Sequence, residues 1–319
     1  MAVSNRLKQW GRLRSFGDML VTPEAVLNTL TSRRALGTNV FNREWDLLVI
    51  LDTCRVDALK AVVDEYDFVS SVSKVLSVGS SSPEWITKTF VNDYCDEISE
   101  TVFIAGNSFT YRILEERKYP ERGRPAWNTV DPGGFRYLEH AWKLKRELGE
   151  LHPDGYANPE IITDRAIALG REQDFNRMIV HYSPPHAPYI ADAIADGNRK
   201  LYSYEVEPFA ALQNGIPKDR IWNAYLNNLR LCLDSVSILL RNIDAERAVL
   251  TADHGEAFGE FGMHGHRTAL LSPYVKYVPW APTSASDTEK YEPAYPAADD
   301  IETNGNDVKE RLRGLGYLV

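Results

Sequence analysis

The sequence predicts an α/β sandwich around a largely parallel sheet, and three observations carry that expectation. Apolar runs at 46–52, 178–182 and 248–250 do not alternate with polar residues, which is how strands buried on both faces read. Stretches with apolar residues at helical spacing lie between them, the longest running from Trp222 to Leu240. Strands and helices interleaved in this way form a sheet covered by helices on its faces.

Composition narrows the function classes. With 319 residues, the chain can bury one large core or two modest ones. It carries 45 acidic and 36 basic side chains, a net charge of −9, which argues against binding a nucleic-acid backbone and favours holding a cation. Cys54, Cys95 and Cys232 are odd in number and form no C-x-x-C pair, so neither a disulfide framework nor a cysteine zinc site is expected. No apolar run approaches the roughly 18 residues of a spanning helix, and no signal-peptide core is visible. A cytoplasmic location is the expectation.

Three segments are expected: 1–40, a basic amphipathic segment; 41–280, the α/β unit; and 281–319, an acidic Pro/Ala-rich connector with a short helix at Val308 to Leu315. In the first, Leu7, Trp10, Leu13, Phe16 and Leu20 recur at helical spacing among Arg6, Lys8, Arg12 and Arg14. Such a helix could pack on the domain or lie on an anionic membrane, making the protein membrane-peripheral. Asp46 to Asp52 is a central strand ending in a carboxylate, and the chain then turns into a helix from Val56. Ser82-Pro83-Glu84 reads as the start of a helix that runs on towards Tyr94, with Ser82 as N-cap and Pro83 at the first helical position. The backbone N–H groups of such a terminus suit an anion.

Val102 to Ala105 is a further strand, ending at Gly106-Asn107. The Pro- and Gly-rich stretch 117–134 reads as a loop. Asn158-Pro159-Glu160 starts a helix that ends near Gly170. Met178 to Tyr182 is the next strand, and it leads into Ser183-Pro184-Pro185-His186-Ala187-Pro188-Tyr189, where prolines stiffen the loop carrying His186. The 217–243 helix precedes the strand ending at Asp253-His254. Three of the seven histidines, His254, His264 and His266, fall within 248–268. Two strand-end carboxylates brought together are unfavourable unless a cation compensates.

Asp52, the Ser80–Ser82 turn, His186, Asp253, His254, and His264 or His266 all follow strands or lie in loops on one expected edge. Their order resembles the sulfatase and alkaline phosphatase superfamily from Asp46 to about Trp280. Its most specific parts are Leu51-Asp52-Thr53-Cys54-Arg55-Val56-Asp57, Pro185-His186-Ala187-Pro188-Tyr189 and Thr251-Ala252-Asp253-His254-Gly255-Glu256. The resemblance implies an alkaline-phosphatase-like α/β/α sandwich. It further implies that Asp52, Asp253 and His254 ligate a divalent metal and that Ser81, two residues before Pro83, is the nucleophile. His186 and His264 or His266 would contact the ester oxygens, bind a second metal or protonate the leaving group, and Asn107 would donate to a non-bridging oxygen.

Two departures matter. Trp85 stands where the formylglycine signal of sulfatases has Arg, which favours an unmodified serine and a phosphate over a sulfate ester. Thr53 replaces the second of two adjacent Asp residues. The mixed Asp/His set suits one or two ions of Zn²⁺, Mn²⁺, Mg²⁺ or Ca²⁺. The expected activity is metal-dependent ester hydrolysis on a small-molecule, glycan or lipid-headgroup substrate. The rivals are a phospho-group transferase and a non-catalytic anion-binding protein.

Overall fold

In the computed structural model of the chain, residues 35–118, 128–144, 158–172, 175–197 and 199–295 are described. The apolar runs become the centre of a seven-stranded sheet: β1 (Leu47–Leu51), β2 (Ser73–Leu76), β3 (Thr101–Ala105), β4 (Tyr137–Glu139), β5 (Arg177–Tyr182), β6 (Ala245–Thr251) and β9 (Tyr277–Ala285). A separate two-stranded hairpin, β7 (Ala257–Phe258) with β8 (His264–Gly265), stands beside it. The sheet order is β2-β9-β6-β1-β5-β3-β4. From β6 to β4 all neighbours are parallel, and β9 runs antiparallel to both β6 and β2. Every residue of β1 and β3 is buried, as a sheet covered on both faces requires.

This topology places the chemistry. Because β1 lies between β5 and β6, the ends of these three strands open side by side, where α/β sheets bind ligands. The long helix Lys218–Leu240 covers the sheet with Ile221, Tyr225, Leu229, Leu233, Val236 and Leu240 buried. Helix Pro159–Glu172 packs next to it, burying Ile162, Ala166, Ile167 and Leu169.

Two expectations change. The sheet does not stop at 280, since β9 pairs with β6 as far as Ala285 and extends the core unit beyond that boundary. Pro279 and Pro282 lie within this strand, and prolines mark a run as an edge or a non-strand in sequence. The helix that opens at Ser82 ends at Thr89 rather than near Tyr94, followed by a short 3-10 turn. The basic segment 5–20 and the helix expected at 308–315 lie outside the described residues. Among the described residues no helix is long and apolar enough to cross a membrane.

Candidate active site

Asp52 follows the last residue of β1, and its backbone N–H still donates to Tyr182 O at 3.1 Å, so the ladder fixes it. Thr53 then takes φ 64, a left-handed conformation that a β-branched residue rarely adopts. The turn is held from outside, with Thr53 O accepting from the Tyr225 hydroxyl (2.9 Å) and Thr53 N donating to Asp253 Oδ1 (3.3 Å). Asp253 and His254 leave the end of β6, and Gly255 is required there because a Cβ would come within 2.2 Å of Tyr274 O.

The ligating atoms of Asp52, Asp253 and His254 lie within 4.8 Å of one another, all buried. Asp52 Oδ1 and Asp253 Oδ2 have no hydrogen-bond partner. His254 Nδ1 faces Gly255 O at 2.9 Å, which assigns the proton to Nδ1 and leaves the Nε2 lone pair directed at the carboxylates. Burial lowers the pKa of His254 and outweighs the neighbouring carboxylates, so the ring is neutral. Burial alone would raise Asp52, but the imidazoles around it, His181 first, hold it well below the usual carboxylate range. Two orphaned anionic oxygens facing a lone pair repel one another, and a divalent cation fits this donor set.

Ser82 is the serine that meets this cluster, with Oγ 3.3 Å from Asp52 Oδ2 and 3.3 Å from His254 Nε2. Ser81, expected as the nucleophile, is instead the N-cap. Its Oγ accepts from Glu84 N (3.4 Å) and meets Thr268 Oγ1 (3.0 Å). The N-cap falls on Ser81 rather than Ser82 because the helix begins one residue earlier than its Pro83 suggests. Asn107, expected to hold the substrate, donates to Asp52 Oδ2 at 3.3 Å.

A second cluster stands against the first: His186, Glu256 and His266 also bring ligating atoms within 4.8 Å. The His254 and His266 ring centroids are 4.3 Å apart, and those of His186 and His266 are 5.2 Å apart. His266 Nδ1 lies 2.8 Å from Glu256 Oε1. Burial lowers the His266 pKa, but the carboxylate of Glu256 more than reverses this and pushes it up to about 9. His264, its alternative, is exposed and outside the cluster. In an unbroken strand residues 264 and 266 would share a face, but Gly265 at φ 73 turns the chain between them.

Solved structures share this architecture. The soluble domain of lipooligosaccharide phosphoethanolamine transferase A from Neisseria meningitidis matches with a TM-score of 0.52 at 14% identity, over 76% of this chain and 77% of that one. The same transferase as an integral membrane protein matches with a TM-score of 0.51 at 14% identity, over 78% of this chain and 49% of that one. The chain has an alkaline-phosphatase-like fold. No family profile and no curated protein sequence matches it.

Within this alkaline-phosphatase-like frame stand three residues to which the sequence assigns no role, although Glu256 closes the Thr251-to-Glu256 motif. His181, on β5, is fully buried, with Nε2 at 3.7 Å from Asp52 Oδ2 and 3.9 Å from Asp253 Oδ2. Phe103 stacks on its ring and Trp85 meets it edge-on. Glu256 orients His266. Asn228, on the long covering helix, clamps the proline-rich loop. Its Oδ1 accepts from Ile190 N (2.9 Å), and its Nδ2 donates to His186 O (3.2 Å).

Proposed function

We propose that the protein is a metal-assisted hydrolase of phosphate esters with Ser82 as its nucleophile. The observation that carries this reading is the Ser82 hydroxyl, 3.3 Å from both Asp52 Oδ2 and His254 Nε2 and beside carboxylate oxygens that lack partners. Asp52, Asp253 and His254 would hold the divalent ion, which when bound supplies positive charge favouring an ionised serine and a neutralised phosphoryl group. Zn²⁺, Mn²⁺, Mg²⁺ and Ca²⁺ are all compatible with the donors, and His186, Glu256 and His266 offer a place for a second ion.

The hydroxyl proton has an acceptor within reach in Asp52 Oδ2, since the one lone pair of His254 Nε2 would be given to the ion. Ser82 Oγ bonds to phosphorus while the bond from phosphorus to the leaving oxygen breaks, giving a phosphoserine. In the single-ion form, His266 is protonated near neutral pH because of Glu256, and it donates to the departing oxygen. Water then bonds to phosphorus and gives a proton to His266, while the Ser82 Oγ–P bond breaks and Oγ takes back the proton held on Asp52, releasing phosphate. His186 stands beside His266, where it can orient the ester. His264 has no part in this scheme.

Phosphate is favoured over sulfate because position 85 is Trp, 1% exposed and packed edge-on against Phe90, rather than the Arg of the formylglycine signal. The substrate class is a small-molecule, glycan or lipid-headgroup anionic ester. A second reading, transfer of the phospho-group to another alcohol, is favoured by the fold likeness to a phosphoethanolamine transferase. A cytoplasmic site, with membrane contact through residues 5–20, belongs to the same proposal and is supported by three unpaired cysteines.

The test is turnover of p-nitrophenyl phosphate, its bis-ester and p-nitrophenyl sulfate by metal-loaded protein, with intact-mass detection of the serine adduct. Phosphate turnover with a phosphoryl group on Ser82 is expected. Dominant sulfatase activity, or formylglycine at Ser81 or Ser82, overturns it. Phosphoryl transfer to an added alcohol in preference to water selects the transferase.

A further inference from the structure

Glu84 is 4% exposed in the first turn of helix Ser82–Thr89. An acidic residue there ordinarily caps its own helix by returning to the N–H of the N-cap, here Ser81. Glu84 does something else. Its Oε2 accepts from Ser80 N (2.8 Å), from Ser80 Oγ (2.5 Å) and from Ala269 N (3.1 Å), the last 185 residues away in sequence. Oε1 pairs with Lys88 Nζ at 2.5 Å, so the buried charge is neutralised locally.

The network extends on both sides. Ser80 Oγ accepts from Leu270 N at 3.0 Å, and Ser81 Oγ meets Thr268 Oγ1 at 3.0 Å. Ala269 takes φ 64, a strained conformation for a residue with a Cβ, and two of these hydrogen bonds hold it and its neighbour in place. The turn that delivers Ser82 and the loop that follows His266 are therefore tied to each other.

We propose that Glu84 is a positioning residue: it latches the 267–270 loop onto the Ser80–Ser82 turn and thereby sets His266 opposite Ser82 across the ester. The proposal rests on the roles given above to those two residues. Lys88 cancels the charge of Glu84, so its effect on the reaction is geometric. Displacing reacting groups by about 1 Å costs on the order of 100-fold in rate.

The experiment compares Glu84→Ala, Ser80→Ala and the double variant Glu84→Gln/Lys88→Met, each metal-loaded, by amide hydrogen exchange and by turnover of p-nitrophenyl phosphate. In Glu84→Ala the amides of Ser80, Ala269 and Leu270 should exchange at least about tenfold faster while those of β1 and β6 keep their protection. Its kcat should fall by about 100-fold with KM little changed, and adding His266→Ala should cost little more. The Gln/Met pair keeps an oxygen acceptor without a charge and should recover most of both losses. Ser80→Ala, the milder change, should loosen Leu270 alone and decides the matter where Glu84→Ala fails to fold. Unchanged exchange at 269–270, no recovery in the Gln/Met pair, or losses that multiply with His266→Ala would each overturn the latch. Wild-type protein that turns over no phosphate ester would overturn the functional reading, and the exchange results then decide the latch alone.

Discussion

The two clusters at the sheet edge are made of the same residue types and behave oppositely. Asp52, Asp253 and His254 sit on the ends of adjacent parallel strands, so the ladder sets their spacing, and they leave two anionic oxygens without partners. His186, Glu256 and His266 stand on loops and complete themselves, through the 2.8 Å pair of His266 with Glu256 and the 2.5 Å contact of His186 Nδ1 with Ala187 O. The inner cluster brings two carboxylates together with one oxygen of each unpartnered, a donor set that a cation fits. The outer one is a balanced pair that can hold a proton.

The largest effects should come from the inner cluster. Asp52→Ala, Asp253→Ala and His254→Ala should each lose bound metal, and Ser82→Ala should retain it while kcat falls by roughly 10⁴-fold or more. Metal analysis beside turnover separates the two outcomes. A sharper form uses the metal-stripped protein, where Asp253→Asn removes one of two adjacent buried carboxylate charges. Its Oδ1 still accepts from Thr53 and His254, and it should unfold at higher denaturant concentration than stripped wild type, by on the order of 1–3 kcal/mol. A less stable Asn variant would mean that the inner cluster is compensated without an ion.

How far the sequence discloses this contrast depends on where each residue sits. β1, β5 and β6 are legible because strands buried on both faces read as apolar runs, and Asp52 directly follows β1 while Asp253 lies two residues past β6. His181 is hidden by the same rule, since inside Met178 to Tyr182 it reads as core. The available signal is a titratable residue just before the end of a parallel strand, opposite Ile50. The choice of Ser82 over Ser81 turns on a one-residue shift in the helix cap, below what spacing resolves. Likewise, His266 is separated from His264 by the φ of Gly265 alone, and no pattern of residue types encodes that angle.

Breaking the outer cluster should cost less and cost it differently. His186→Ala and His266→Ala should keep the first metal and lose roughly 10²- to 10⁴-fold in kcat for alkyl phosphates, but much less for p-nitrophenyl phosphate, whose leaving group needs little protonation. His264→Ala should match wild type. Equal losses on both substrates together with loss of the first metal would merge the two clusters into one.

In the metal-stripped protein the outer pair should show itself as a pH dependence of stability. His266 is raised from an ordinary 6.5 to about 9, so the folded state binds its proton more tightly than the unfolded chain does. The stabilisation is present in full below pH 6.5 and is lost as pH rises through 9, an effect of about 3 kcal/mol. Denaturant midpoints across that window should fall in wild type and stay level in His266→Ala and Glu256→Gln. A level wild-type profile would show that His266 is neutral, and the proton for the leaving oxygen would then have to come from elsewhere.

The smallest effect tests the exchange of roles between the serines. Ser81 Oγ caps the helix through Glu84 N and touches Thr268, while Ser82 Oγ faces Asp52 and His254. Removing a serine cap costs about 1 kcal/mol, so Ser81→Ala should lower the denaturation midpoint slightly, retain the metal and keep kcat within a few-fold of wild type. A helix frayed at its first turn would also loosen Ser82, which is why a small rate loss is expected rather than none. A collapse of activity in Ser81→Ala with Ser82→Ala unaffected would return the nucleophile to position 81, and the helix would then have to begin one residue later than it does in this structure.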